Sequence, residues 1–117
     1  MMRRLEKSHD KVIGYSLSGE VTEDEYIQLA SELRDAIAEH DAIRVLFRLS
    51  DLKLSSFFTA LDERLSFIRD NRDDVERIAV VTDDTATGLL SKAAAAGPVE
   101  LRTFSSDDEP KAWAWLE

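Results

Sequence analysis

The sequence contains no cysteine, and this absence excludes several kinds of chemistry. Without thiols the chain has no disulfide, no thiolate nucleophile and no cysteine-ligated zinc site. Its four glycines are too few and too scattered to form a glycine-rich phosphate-binding loop, and neither a "GxSxG" nor an "HExxH" motif occurs. We therefore predict that the protein is not an enzyme and that it carries no metal ion or cofactor.

The sequence also lacks long apolar runs and an excess of positive charge. No run approaches the roughly 20 apolar residues of a membrane-spanning helix, and "MMRRLEKSHD" lacks the apolar stretch of a signal peptide. The formal net charge is −9, from 24 acidic and 15 basic residues, and this excess of negative charge repels nucleic-acid phosphates. One positive cluster is present, without interleaved aromatic residues, and it consists of Arg3, Arg4, Lys7 and Lys11. We expect a cytoplasmic protein with no membrane span and no nucleic-acid partner.

The residues that are present are typical of one globular domain. The chain has 117 residues, of which 44% are hydrophobic and 33% are charged. No Gly/Ser linker, internal repeat or low-complexity segment divides it. The sequence therefore predicts a single domain over residues 1–117.

The N-terminal part predicts a β-hairpin and then a helix. "RRLEKS" and "KVIGYSLSG" show the short alternation of strands, and Gly14 in the second strand indicates a bulge or a close backbone contact. "TEDE" at 22–25 is a capping-box pattern, so a helix is expected from there to about His40. Its apolar stripe consists of Tyr26, Ala30, Leu33 and Ile37.

The remaining segments alternate between strands and helices. "AIRVLFRLS" at 42–50 predicts a central strand, and further strands are expected at 77–81 and in "VELRTF". Helices are predicted from Ser55 or Ser56 to about Asn71, over 84–96, and at the C-terminus, where "SDDE" at 106–109 is a second capping-box pattern. The order ββαβαβαβα predicts an α/β fold with a five-stranded, mostly parallel mixed sheet flanked by four helices.

This order and four segments resemble the SpoIIAA-like family of the STAS superfamily. The segments are "VIGYSLSGEVTEDEY" at 12–26, "AIAEHDAIRVLFRLSDL" at 36–52, "DVERIAVVTDD" at 74–84 and "AWAWLE" at 112–117. The resemblance implies the fold of anti-sigma factor antagonists and, more distantly, a likeness to CRAL-TRIO lipid-transfer domains. It carries no catalytic signature.

The resemblance also implies a candidate phosphorylation site. In anti-sigma factor antagonists a regulatory serine starts the second helix within a "D-S-S-G-L"-like motif, and the matching segment here is "KLSSFF". Ser55 and Ser56 are present, but the acid before them and the glycine and leucine after them are not. Serine is also a favoured helix N-cap, and capping is the interpretation that we favour for this pair.

Two sets of polar residues are candidates for reactive or metal-binding sites. The first set follows predicted strands and could hold magnesium; it consists of Asp83 and Asp84, with Thr82, Thr85 and Asp51. Acidic residues at the start of a helix are, however, favoured by the helix dipole alone. His9 and His40 have no partner at a spacing that suggests a catalytic triad. We interpret both sets as structural.

Aromatic residues are the remaining candidates for binding. Trp113 and Trp115 lie about 200° apart around a helix, so they cannot face the same core. We predict that one packs inside and that the other is partly exposed. The set of candidate binding or interface residues is Phe57, Phe58, Phe67, Trp113 and Trp115.

The sequence leaves three functional hypotheses open. The first is a non-enzymatic regulatory or binding module that acts through protein contacts, as a homodimer formed by the predicted second helix and its Phe67. The second is a carrier of a small apolar or lipid-like molecule, suggested by the neighbouring Phe57 and Phe58. The third is a phosphoserine-switched regulator of the anti-sigma antagonist type, with Ser55 or Ser56 as the acceptor.

Overall fold

The structure is a computed structural model that describes residues 1–52, 74–83 and 100–117. These ranges contain five strands and two α-helices. In chain order they are β1 (Met2–Arg4), β2 (Val12–Ser18), α1 (Glu23–His40), β3 (Ile43–Ser50), β4 (Val75–Val81), β5 (Glu100–Phe104) and α2 (Glu109–Leu116). A 3₁₀ turn at Ser106–Asp108 precedes α2. The helices predicted for residues 55–71 and 84–96 lie outside the described residues, so two of the four flanking helices stay predictions.

The five strands form one sheet in the order β1-β2-β3-β4-β5. The β1 strand pairs with β2 in the antiparallel sense, and the remaining neighbours are parallel. At the centre of β3, Val45, Leu46 and Phe47 are fully buried, because helices cover both faces of the sheet. The predicted α/β fold with a mostly parallel five-stranded mixed sheet is confirmed.

Helix α1 begins at the capping box that the sequence predicts. The Glu25 backbone N–H donates to the Thr22 hydroxyl over 3.2 Å, and the Thr22 N–H donates to the Glu25 carboxylate over 3.1 Å. The same carboxylate accepts the Met2 N–H over 2.6 Å, which ties β1 to the first turn of α1. The backbone N–H groups of Thr22 and Met2 therefore lower the pKa of Glu25.

The sheet separates two layers of apolar packing. On one face α1 contributes Tyr26, Leu29, Ala30, Leu33 and Ala36, which pack against alternate residues of β2, β3 and β4. On the other face α2 contributes Ala112, Trp113 and Leu116, which pack on Leu46, Ala79 and Val81. In the part of the chain that the structure describes, no helix is long and apolar enough to cross a membrane.

The predicted capping box at 106–109 is wrong. The N-cap residue of α2 is Asp108, whose side chain makes no capping hydrogen bond. The N–H and hydroxyl of Ser106 both donate to Asp83, and the Glu109 carboxylate binds Arg48 instead of turning back to Ser106. Glu109 binds Arg48 because two parallel hydrogen bonds to an oppositely charged guanidinium are stronger than a single hydrogen bond from a backbone N–H.

Candidate functional site

A cavity of about 940 Å³ opens at the carboxyl edge of the sheet. It lies between the ends of β3 and β4 and the start of α2, and we call it the edge cavity. Its described lining residues are Arg48, Leu49, Ser50, Asp51, Leu52, Val81, Thr82, Asp83, Ser106 and Glu109. Crevices at this edge of parallel sheets are where α/β folds usually bind ligands.

One wall of the edge cavity is an ion pair between Arg48 and Glu109. Arg48 Nε donates to Oε1 of Glu109 over 2.6 Å and Nη2 donates to Oε2 over 2.5 Å. The Glu109 side chain is only 16% exposed, and it also accepts the indole N–H of Trp113 at 3.3 Å. The hydrogen bonds from Arg48 lower the pKa of Glu109, and the carboxylate raises the pKa of Arg48 in return.

A second contact in the lining of the edge cavity joins Asp83 and Ser106. The Asp83 carboxylate accepts the Ser106 N–H at 3.0 Å and the Ser106 hydroxyl at 2.9 and 3.0 Å. These bonds, with the backbone N–H as the largest cause, lower the pKa of Asp83. The carboxylate thus links the end of β4 to the turn before α2.

The lining of the edge cavity also includes residues that directly follow β3 and β4. Asp51 follows β3 with φ of 53°, a left-handed conformation that costs an L-residue about 1 kcal/mol. Asp tolerates it better than most residues, because its short polar side chain can bond locally. Thr82 follows β4 and is 8% exposed.

The structure brings together three of the residues that the sequence singled out as a candidate metal site. Thr82, Asp83 and Asp51 all line the edge cavity, whereas Asp84 and Thr85 lie outside the described residues. Within the described ranges, no three His, Cys, Asp or Glu side chains form a group that could hold a metal ion.

The two histidines lie away from the edge cavity. His9 belongs to the turn between β1 and β2, with Nε2 at 3.2 Å from the Glu117 carboxylate. His40 ends α1, and its Nε2 lies 3.9 Å from Glu39. Both positions are at the amino edge of the parallel strands, so neither histidine can act on a ligand in the edge cavity.

The two tryptophans occupy different environments, as their angular separation predicts. Trp113 is 5% exposed and packs over Gly14. Trp115 is half-buried, with the Arg77 and Arg102 guanidinium carbons at 5.1 and 5.3 Å from the ring centroid. The remaining candidates from the sequence, Ser55, Ser56, Phe57, Phe58 and Phe67, lie outside the described residues.

Sequence reasoning missed Arg48 and Glu109 as site residues. They are 61 positions apart, and no local spacing pattern joins them. The available signal was the charge itself: Arg48 interrupts a strand whose other residues are mostly buried, and such a charge needs a partner. The strand pattern indicated the need for a partner but not its identity.

Comparison with known proteins places this geometry in a family. The structure is similar to the crystal structure of an uncharacterized protein from the DUF3478 family with a SpoIIAA-like fold from Shewanella loihica PV-4. That likeness has a TM-score of 0.65 at 22% sequence identity, and it covers 99% of this chain and 93% of the other. No curated protein matches the sequence. The family model described as SpoIIAA-like matches residues 12–117, and the chain therefore belongs to the SpoIIAA-like family.

Proposed function

We propose that this protein is a non-enzymatic binding module that contacts its partner through the edge cavity. The observation that carries the proposal is the cavity itself, whose volume of about 940 Å³ is large enough for a ligand or an inserted loop. Domains of this family are in general non-enzymatic, which supports a role in binding or regulation.

The lining of the edge cavity combines apolar and polar residues. Three of the described lining residues are apolar, namely Leu49, Leu52 and Val81, and the other seven are polar or charged. A polypeptide loop carries both polar backbone groups and apolar side chains, so it can match a lining of this mixed kind, whereas a fatty chain matches only the apolar residues. A protein partner therefore fits the described lining better than the apolar ligand of the carrier hypothesis.

Site-directed photo-crosslinking tests the proposal. A photoreactive side chain replaces Ser50, which is exposed and lines the edge cavity, and in a matched variant it replaces Glu39, which is exposed near the end of α1 at the opposite edge. In a lysate of the source cells we expect a discrete cross-linked species from position 50 that an excess of unmodified protein suppresses. The same species from position 39, or no species from position 50, would contradict the proposal.

The finer hypotheses from the sequence stay predictions. A homodimer through the predicted second helix depends on Phe67, and a phosphoswitch depends on Ser55 or Ser56. Native mass spectrometry of gently purified protein separates them, since it reports subunit number, phosphate and any bound small molecule in one spectrum. A monomer unchanged by Phe67→Ser would argue against the dimer, and an unmodified mass after incubation with a kinase-active lysate would argue against the switch.

A further inference from the structure

We propose that a second cavity, which shares only Arg48 with the described lining of the edge cavity, binds a small organic anion through a carboxylate or phosphate group. This basic cavity has a volume of about 340 Å³ and lies on the α2 face of the sheet. Its cationic lining residues are Arg3, Arg4, Lys7 and Arg48, and its other described lining residues are Leu5, Glu6 and Trp113. The inference goes beyond the proposed function, because it concerns a different site and a different class of ligand.

The charge around the basic cavity is opposite to that of the whole chain. The protein carries a formal net charge of −9, yet four of the lining residues of this cavity are cationic. Two of these cations have carboxylate partners, since Arg48 pairs with Glu109 and Arg4 lies near Glu32. Among the described residues, no ion pair involves the other two, Arg3 and Lys7, which are therefore the cations best placed to attract an anion from solution.

The register of the sheet explains how the cations converge. Arg3 of β1 pairs with Ser16 of β2, which pairs with Arg48 of β3, so these three residues share one face of the sheet. Two strand spacings separate Arg3 from Arg48, or roughly 10 Å, which two long arginine side chains can bridge around one anion. Arg4 faces the other side, where its Nη1 lies 3.9 Å from Glu32 of α1.

Lys7 completes the site from the turn after β1. It lines the same cavity as Arg48, and its charge makes a smaller contribution than the hydrogen bonds from Arg48 to the lowered pKa of Glu109. Arg48 uses Nε and Nη2 to bind Glu109, and a guanidinium has further N–H donors. An anion in the basic cavity can therefore bind Arg3, Lys7 and the unused donors of Arg48.

The size of the basic cavity and its small apolar surface restrict the ligand. Leu5 and Trp113 are 7% and 5% exposed, so they offer a ligand little apolar surface. The lining therefore matches a compact ligand that is bound mainly through its anionic groups. The limited volume of about 340 Å³ restricts the ligand to a small molecule.

Titration followed by two-dimensional amide NMR at low ionic strength tests the proposal. The probes are inorganic phosphate, pyrophosphate and citrate. We expect saturable shifts in the amide signals of residues 3–7, 48 and 113. Tighter binding of pyrophosphate assigns the site to phosphates, and tighter binding of citrate assigns it to carboxylates. Absence of saturable shifts there with all three probes would overturn the proposal.

Single-charge variants separate a built site from diffuse attraction. Lys7→Gln is expected to weaken binding of the best probe about tenfold, because one charged hydrogen bond is lost. Lys111→Gln removes the same charge from an exposed residue of α2 that, within the described part of the chain, forms an ion pair only with Asp108. It should leave the affinity within about twofold. Equal weakening by both variants would contradict a specific site.

A second variant is expected to strengthen binding rather than weaken it. Glu109→Gln removes the carboxylate that binds Arg48, so more of the guanidinium N–H groups can bind the anion. Binding is therefore expected to tighten severalfold. Glu39→Gln adds the same charge change at a distant exposed position and serves as its control. The amide spectrum of each variant also reports whether the fold is retained, and tightening by Glu39→Gln equal to that by Glu109→Gln would overturn the role of Arg48.

Discussion

At the scale of single residues, Gly14 and Trp113 show how one missing side chain positions a helix. A Cβ atom built on Gly14 would lie 2.9 Å from Cζ2 of Trp113, closer still to Cη2, and 3.1 Å from Cδ1 of Leu5. Real Cβ atoms essentially never lie within 3.0 Å of such a neighbour, so the two contacts with Trp113 would be clashes. The glycine therefore allows the indole ring, and with it α2, to rest directly on the backbone of β2.

We predict that Gly14→Ala destabilises the protein by about 1–3 kcal/mol, the usual cost of overpacking a core. The loss should be smaller in a Trp113→Phe background, because phenylalanine lacks the indole ring atoms that the new methyl group would meet. Urea unfolding of the wild type, both single variants and the double variant measures this difference as a coupling free energy. An equal loss in both backgrounds would contradict the steric explanation.

The sequence predicted part of the contact between Gly14 and Trp113. The sequence indicated a bulge or a close backbone contact at Gly14, and the structure shows the close contact. The angle between Trp113 and Trp115 predicted that they face different environments, but it could not assign the buried one. That assignment depends on the neighbour across the interface, and Gly14 is 99 positions away from Trp113 in the printed sequence.

At the scale of elements, arginines of β3 and β4 hold α2 at both of its ends. Arg48 binds Glu109 at the start of the helix. At the other end Arg44 donates to the Leu116 carbonyl over 2.9 Å, and Arg77 donates to the Trp115 carbonyl over 2.6 Å. Cations at the last carbonyls satisfy acceptors that a helix leaves open and interact favourably with its dipole.

We predict that Arg48→Lys lowers the free energy of unfolding by about 1–2 kcal/mol, although the charge is conserved. A lysine offers one ammonium where the guanidinium makes two parallel N–H···O bonds. The exposed Lys111→Arg variant is the control and is expected to change stability by less than about 0.5 kcal/mol.

A double-mutant cycle with Glu109→Gln checks the origin of this loss. If the paired hydrogen bonds cause it, Arg48→Lys should cost much less once the carboxylate is gone. Thermal or urea unfolding of the four proteins gives the coupling free energy. A coupling near zero would show that Arg48 stabilises α2 through packing of its side-chain methylenes instead.

The two capping-box patterns explain why elements were more predictable than their contacts. At 22–25 all the partners lie within four residues, so the pattern predicted the observed bonds of Thr22 and Glu25. At 106–109 the same pattern was misleading, because Glu109 binds Arg48 of β3 and Ser106 binds Asp83 of β4. The spacing of residues along the chain shows which hydrogen-bond partners are nearby in sequence. It cannot show that a charged residue of a distant strand will bind the same side chain more strongly.

At the scale of the whole molecule, the strand pattern predicted the sheet and its carboxyl edge but not the site built there. Alternation of strands and helices is sufficient to predict a mostly parallel sheet. The edge cavity combines residues from β3, β4 and the turn before α2, and the basic cavity combines β1, β3 and α2. The lining of each cavity depends on which strands are neighbours in the sheet. The sequence alone does not show that order.

The paired carboxylates lead to a prediction about how the stability of the protein depends on pH. Among the residues that the structure describes, four carboxylates have a pKa below their ordinary values in the folded protein: Glu25, Glu76, Asp83 and Glu109. The largest causes are backbone N–H groups for Glu25 and Asp83, and the hydrogen bonds from Lys11 and Arg48 for Glu76 and Glu109. In the unfolded chain these groups titrate at about 4.

Because the folded pKa values are the lower ones, the unfolded state binds protons first as the pH falls. The stability from these contacts is fully present above the unfolded-state pKa and is lost progressively as the pH falls through the folded values. We expect the free energy of unfolding, measured with urea at about pH 7, 5 and 3.5, to change little between pH 7 and 5 and to fall between pH 5 and 3.5.

The Glu109→Gln variant tests the contribution of one of these carboxylates. Its stability at neutral pH should be lower, and its fall toward acid shallower, since this variant has lost one of the carboxylates whose protonation destabilises the fold. The exposed Glu39→Gln variant should follow the wild-type curve, and a fall in Glu109→Gln as steep as in the wild type would show that the Arg48–Glu109 pair does not contribute to the acid sensitivity.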